Sequence, residues 1–131
     1  MRRLVFVLAL LSAATARADD VVRVGMADLA VQTHKWDGKT IETTAYCFYT
    51  DVNEFRCIYP HGARVDFVEL EPDDLRGRIE KNCDTVGKAF TRACLVKFRF
   101  VYDHFDTLTG DDGSVIHVVA AKDDEGTLLA K

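Results

Sequence analysis

The sequence predicts a mainly β domain: a five-stranded Greek-key barrel with one helix between its third and fourth strands. Two observations lead there. Between Trp36 and Val68, three short segments alternate their side chains with period two and are separated by turn residues, the pattern of consecutive antiparallel strands. Beyond them, one amphipathic segment of helical period precedes two more alternating segments, so the order reads strand, strand, strand, helix, strand, strand.

The chain opens on a segment outside this pattern. Arg2 and Arg3 are followed by an apolar run from Leu4 to Leu11 and by the small-residue box Ala16-Arg17-Ala18, the anatomy of a secretory signal peptide over residues 1–18. The run falls short of the roughly 20 apolar residues needed to span a bilayer. No cysteine follows it to carry a lipid, so the expectation is export to the periplasm with no membrane anchor after cleavage. Residues 19–131 then form a single domain. Removing the leader takes away Arg2, Arg3 and Arg17 and no acid, which leaves 14 bases against 21 acids and a net charge of about −7. Such a balance argues against nucleic acid as a partner, because phosphate binders gather Lys and Arg on one face.

In the domain, Asp19–Gly25 reads as an exposed or weakly extended lead-in and Met26–Gln32 as a short helical turn covering one end of the core. After the turn Trp36-Asp37-Gly38-Lys39, Ile41, Thr43, Ala45, Cys47 and Tyr49 share one face of the first barrel strand, and Thr40, Glu42, Thr44, Tyr46 and Phe48 share the other. A polar turn centred on Val52 leads to the second strand, Phe55–Tyr59, which Pro60 ends. This hairpin sets Cys47 opposite Cys57, Tyr49 opposite Phe55, Phe48 opposite Arg56 and Tyr46 opposite Ile58. His61-Gly62 turns the chain into the third strand, Arg64–Val68. Pro72, Asp73 and Asp74 suit a helix first turn, and Leu75, Ile79 and Cys83 follow at i, i+4 and i+8, giving a helix over Pro72–Asn82. The fourth strand, Cys94–Tyr102, points Val96, Phe98, Phe100 and Tyr102 inward and Lys97 and Arg99 outward. A polar loop over Asp106–Gly113, a fifth strand over Ser114–Ala121 and a charged, loose end from Lys122 complete the reading.

An even count of four cysteines in an exported chain favours disulfides. Three connectivities are open. The hairpin register favours Cys47–Cys57, and elimination then leaves Cys83–Cys94, which flank the passage from helix to fourth strand. Zinc and thiol redox chemistry fit poorly, since no C-x-x-C occurs.

The strand order is the arrangement of the OB-fold. On that order, on Asp28-Leu29-Ala30 followed by Trp36-Asp37-Gly38-Lys39-Thr40-Ile41, and on Leu70-Glu71-Pro72 ahead of the helix, the chain resembles the exported bacterial OB-fold proteins, including the small BOF and tRNA-anti-like domains of the periplasm. The resemblance covers most of residues 26–122. It implies a binding or accessory module without a catalytic signature, a cofactor or a metal.

The remaining chemistry agrees with that expectation. Ser114 is the only serine after the leader and lacks a nucleophile elbow, while His34, His61, His104 and His117 are scattered singly. His104 and Asp106 form an i, i+2 pair that reads as a surface ion pair, and His117 as an outward-facing residue. Asp111 and Asp112 read as a solvated turn without the calcium-loop pattern. A small hydrolase or metal enzyme would need His34, His61 and His104 to converge, and a single-strand nucleic-acid binder would need a continuous positive groove. The expected ligand face is the outer surface of the second and third strands, with Tyr46, Phe48, Arg56 and Arg64 suited to a small anionic ligand or a protein partner.

Overall fold

The computed structural model describes residues 20–31, 34–50 and 53–129, so the expected leader and the hairpin centre at Val52 lie outside the described residues. In chain order the elements are β1 (Val21–Arg23), α1 (Met26–Leu29), β2 (Thr40–Tyr49), β3 (Phe55–Ile58), β4 (Arg64–Phe67), β5 (Glu69–Glu71), α2 (Asp73–Asn82), α3 (Val86–Ala89), β6 (Leu95–Thr109), β7 (Val115–Ala121) and β8 (Glu125–Leu129). Single 3₁₀ turns stand at His34–Trp36, Arg92–Cys94 and Lys122–Asp124.

Five strands close a barrel in the order β2-β3-β4-β7-β6 and back to β2. Every neighbouring pair is antiparallel except β4–β7, which is parallel. The closed five-stranded barrel, with extra strands and few helices around it, is consistent with an OB-like barrel. Alternation decides its interior: Ile41, Cys47, Phe55, Cys57, Val65, Phe67, Phe98, Phe100, Tyr102 and Val119 are all buried. Phe67 meets Phe98 and Phe100 edge-on at centroid distances of 5.4 and 5.8 Å, the arrangement that suits aromatic quadrupoles.

The hairpin has the register expected of it, with Tyr46↔Ile58, Cys47↔Cys57, Phe48↔Arg56 and Tyr49↔Phe55. Thr50 N–H donates to the Glu54 carbonyl at 2.8 Å. Counting by twos from that bonded pair makes Cys47↔Cys57 a non-hydrogen-bonded pair, the closer kind, and its Cα atoms are 4.1 Å apart across a disulfide. The second disulfide joins Cys83, just past α2, to Cys94, just before β6. Two disulfides and no free cysteine among the described residues point to an oxidising, extracellular-type environment. Helix α2 starts after Pro72, with Asp73 and Asp74 in its first turn and Ile79 buried, and packs on β2 and β5.

Four expectations are corrected. The five barrel strands are as expected but are not the whole sheet: among the described residues three more strands join it, β1 pairing in parallel with β2, and β5 with β8. The charged end is not loose: Asp123 and Asp124 take φ of 57° and 54°, turn the chain back, and let β8 pair with both β5 and β6. The fourth barrel strand runs on through the expected loop to Thr109, with a register shift between Tyr102 and His104, so the turn is confined to Gly110–Ser114. Phe48, expected on an open ligand face, is 4 % exposed; α2 and α3 both pack on β2, and Phe90, just past α3, lies against Tyr46 on the Phe48 face.

Gly126 is glycine because β8 crosses the core at close range: a Cβ there would stand 2.7 Å from Phe67 Cε1 and 3.0 Å from Leu70 Cδ2. Phe67 is held by two other rings and cannot yield cheaply. Gly126→Ala is expected to cost about 1–3 kcal/mol by overpacking, measured by urea denaturation of the oxidised protein. Replacing Cys47 and Cys57 together by Ala removes a cross-link closing a loop of about ten residues, and a loss of about 3 kcal/mol is expected in the same assay.

Candidate functional site

β2 is flanked on one edge by two different strands in succession. β1 covers Thr40 to Glu42, β3 covers Tyr46 to Tyr49, and neither register reaches Thr43, Thr44 or Ala45. On this edge the Glu42 carbonyl accepts from Val24 N–H at 3.1 Å. Strand alternation therefore turns the Thr44 N–H and C=O the same way, into the gap. A cleft of about 550 Å³ opens there, lined by Arg23–Ala27 on one side, Tyr59 and Pro60 on the other, and Glu42, Thr44, Leu95 and Lys97 on the floor.

The floor is electrostatically unusual. Glu42 is 5 % exposed on the outer side of β2, where Arg99 directly opposes it on β6. Arg99 donates from Nε at 2.9 Å, and its Nη2 lies 2.8 Å from the same carboxylate oxygen, Oε2. Arg23 Nε stands 3.5 Å and Lys97 Nζ 3.9 Å from the other oxygen. Three cations thus surround one carboxylate, an excess of two positive charges in a domain that is acidic as a whole. The hydrogen bond from Arg99 holds the Glu42 carboxyl below its ordinary value of 4.5, burial opposes this, and the charges of Arg99 and Arg23 add to it.

Beside the cations stands an aromatic wall. Tyr59 stacks on Tyr46 with centroids 5.8 Å apart, and Phe90 tilts against Tyr46 at 5.3 Å. Tyr59 and Phe90 are 45 % and 53 % exposed, and Tyr59 lines the cleft.

The residues expected to form a ligand face divide between two places. Tyr46 joins the aromatic wall, whereas Phe48 is buried. Arg56 and Arg64 lie together on the outer face of β3 and β4, where both engage Asp66. Arg56 Nε donates at 3.2 Å, and Arg64 donates from Nε at 3.0 Å and from Nη2 at 2.6 Å. These arginines are already paired. Asp66 faces Ala120, which in turn faces His104, so one cross-barrel row runs Arg56, Asp66, Ala120, His104. His104 hydrogen-bonds Asp103 through Nδ1 at 2.8 Å and Asp106 through Nε2 at 2.9 Å, more than the single ion pair expected. The bond to Asp103 raises its pKa above 6.5, slight burial opposes this, and the charge of Asp106 reinforces it.

The other histidines sit apart in the fold. His34 bonds Asp37 ahead of β2 at 2.9 Å, and His61 occupies the β3–β4 turn with φ of 60°. His117 is half-buried and stacks on Phe105 at 5.5 Å, contrary to its expected outward orientation, because strand alternation puts it on the face of buried Val119. Asp112 accepts from Ser114 N–H at 3.0 Å, the solvated turn expected. Among the described residues no group of three or more His, Cys, Asp or Glu is placed to hold a metal ion, and no helix is long and apolar enough to cross a membrane.

Sequence reasoning missed Arg23, Glu42, Tyr59, Lys97 and Arg99 as a group. Lys97 and Arg99 read as outward-facing, and Glu42 as sharing the strand face of Tyr46 and Phe48. What brings them together is the β2–β6 register across 57 positions, which leaves no local signal. No protein-family model, curated protein or solved structure matches the chain.

Glu42 and His104 give opposite pH dependences. Glu42, with its folded value depressed, contributes stability that is full above 4.5 and is lost as pH falls through the lower folded value. Urea denaturation at a series of acidic pH values is therefore expected to show a shallower acid-side loss in Glu42→Gln than in the parent protein. His104, with its folded value raised, contributes stability that is full below 6.5 and is lost as pH rises through the folded value. NMR titration of the His104 ring is expected to give a midpoint above 6.5, moving down in Asp103→Asn.

Proposed function

We propose that the protein is an exported, periplasmic OB-fold module that binds a small planar anion and performs no catalysis. Several features support the OB-fold reading: the ring order β2-β3-β4-β7-β6, the parallel β4–β7 pair, and α2 lying in sequence between the third and fourth barrel strands. The exported, periplasmic reading rests on the leader-like start of the sequence and on the two disulfides.

One observation carries the ligand class: three cations converge on the single buried carboxylate of Glu42, in a cleft walled by the exposed ring of Tyr59. Glu42 neutralises one cation and leaves the charges of Arg23, on the side wall, and Lys97, on the floor, each more than half exposed. An anionic group between them gains two charge-assisted contacts and the Thr44 N–H, while a flat ring attached to it stacks on Tyr59. The overall acidity of the chain then limits binding to small anions, because a long polyanion would run onto repelling surface.

Phenyl phosphate is a suitable probe. Titrated into the isotopically labelled oxidised protein, it is expected to shift the backbone resonances of Arg23–Ala27, Glu42–Thr44 and Lys97 saturably. Binding should weaken in added salt and drop at least tenfold in Lys97→Glu and in Tyr59→Ala. No saturable shift, or shifts centred on Arg56 and Arg64, would refute the assignment. Tight retention on single-stranded DNA at physiological salt would replace it with nucleic-acid recognition.

A further inference from the structure

A second cleft, independent of the first, lies between α2 and the β6–β8 pair. Ile79 and Leu128, both buried, belong to its lining, together with the half-buried Leu75, Val96 and Leu129. Its volume is about 400 Å³, within the range of roughly 300–1,000 Å³ typical of small-molecule sites. An apolar cleft between a helix and a sheet stays open only where something holds the two elements apart, and so has a structural cause. The second disulfide supplies it. Cys83 ends α2 and Cys94 precedes β6, and the bond holds their Cα atoms 6.0 Å apart, which fixes the spacing of helix and strand at that end. Leu75 and Ile79 are the only apolar side chains of α2, and only Ile79 is fully buried, so the helix has nothing larger with which to fill the gap.

The rim carries a single charge. Arg78, exposed on α2, has no ion-pair partner among the described residues, whereas Arg76 on the same helix is held by Asp73 and Glu80. The Asn82 amide and the small side chain of Ala93 complete the rim. An apolar trough with one unpaired cation at its mouth is complementary to an unbranched apolar chain that ends in one anion. We infer that this cleft binds the acyl chain of a medium-chain free fatty acid, with the carboxylate on Arg78 and Asn82 and the chain lying along Leu75, Ile79, Val96 and Leu128. The assignment is independent of the planar-anion site, which shares no lining residue with it.

The test is calorimetric titration of the oxidised protein with hexanoate, octanoate and decanoate, each below its micellar concentration. One site is expected. Each added methylene should strengthen binding roughly fourfold until the trough is full, at about 0.8 kcal/mol per buried methylene. Arg78→Glu, a surface change that leaves the fold alone, should weaken decanoate at least tenfold, and Ala93→Trp, which fills the trough from an exposed rim position, should abolish binding. Lys97→Glu in the other cleft should leave decanoate binding unchanged. Three results would overturn the inference: no dependence on chain length, decanoate bound equally well by Ala93→Trp, or decyl maltoside bound as tightly as decanoate, which would remove Arg78 from the site.

Discussion

Barrel closure depends on β2 being paired at both of its edges, with β3 on one and β6 on the other. Over Thr40 to Tyr46 one edge is taken by β6, and the other is shared between β1 and β3. A strand with one bare edge would leave a row of unpaired amides and carbonyls, and closure removes that liability. The ten residues of β2 are long enough for three partners, and β-branched and aromatic residues hold it extended. The cleft with the excess positive charge is where two of those partners fail to meet. Site and barrel therefore share one cause, since the gap exists because β1 and β3 approach the same edge from opposite ends.

Charge placement follows the same strand. Glu42 sits on the outer side of β2, where the β6 register sets Arg99 opposite it, the β1 register sets Arg23 beside it, and Lys97 comes from two residues along β6. A buried carboxylate is tolerated because it is paired and hydrogen-bonded. The same pairing orders cations that solvent would otherwise leave mobile. By contrast, Arg56 and Arg64 share Asp66 between them on the far wall, so little of their charge remains to attract a ligand. Each cluster is built round one acid, and they differ in excess charge because three cations surround Glu42 whereas two surround Asp66.

The two disulfides do different work. Cys47–Cys57 lies inside the barrel, bridging neighbouring strands already set by their register, and reinforces a contact that β-pairing makes. Cys83–Cys94 joins a helix end to a strand start that no sheet hydrogen bond connects, and so sets the spacing of α2 over β6. Tyr49 N–H donating to the Cys83 carbonyl at 2.7 Å ties that corner back to the barrel. A small domain with a limited core gains from both, because cross-links reduce the entropy of the unfolded chain.

Local period, and pairs close along the chain, are what the amino-acid order makes legible. The alternation of Ile41–Tyr49, Phe55–Tyr59 and Val96–Tyr102, the i, i+4 spacing of Leu75 and Ile79, and a hairpin short enough to have one sensible register together specified the interior, the first disulfide and, by elimination, the second. Tertiary structure alone decided the rest. The Lys122–Glu125 run reads as solvated charge, yet Asp123 and Asp124 adopt left-handed backbone and deliver Leu128 to the core; only the presence of β5 and β6 as partners makes that favourable. Phe48 alternates outward as expected and is buried nonetheless, on a strand against which α2 and α3 both pack. Glu42 and Arg99 meet across 57 positions, and no periodicity encodes such a meeting: register between distant strands is settled by the packing of the whole barrel, since a one-residue slip would turn Phe98 and Phe100 out of the core.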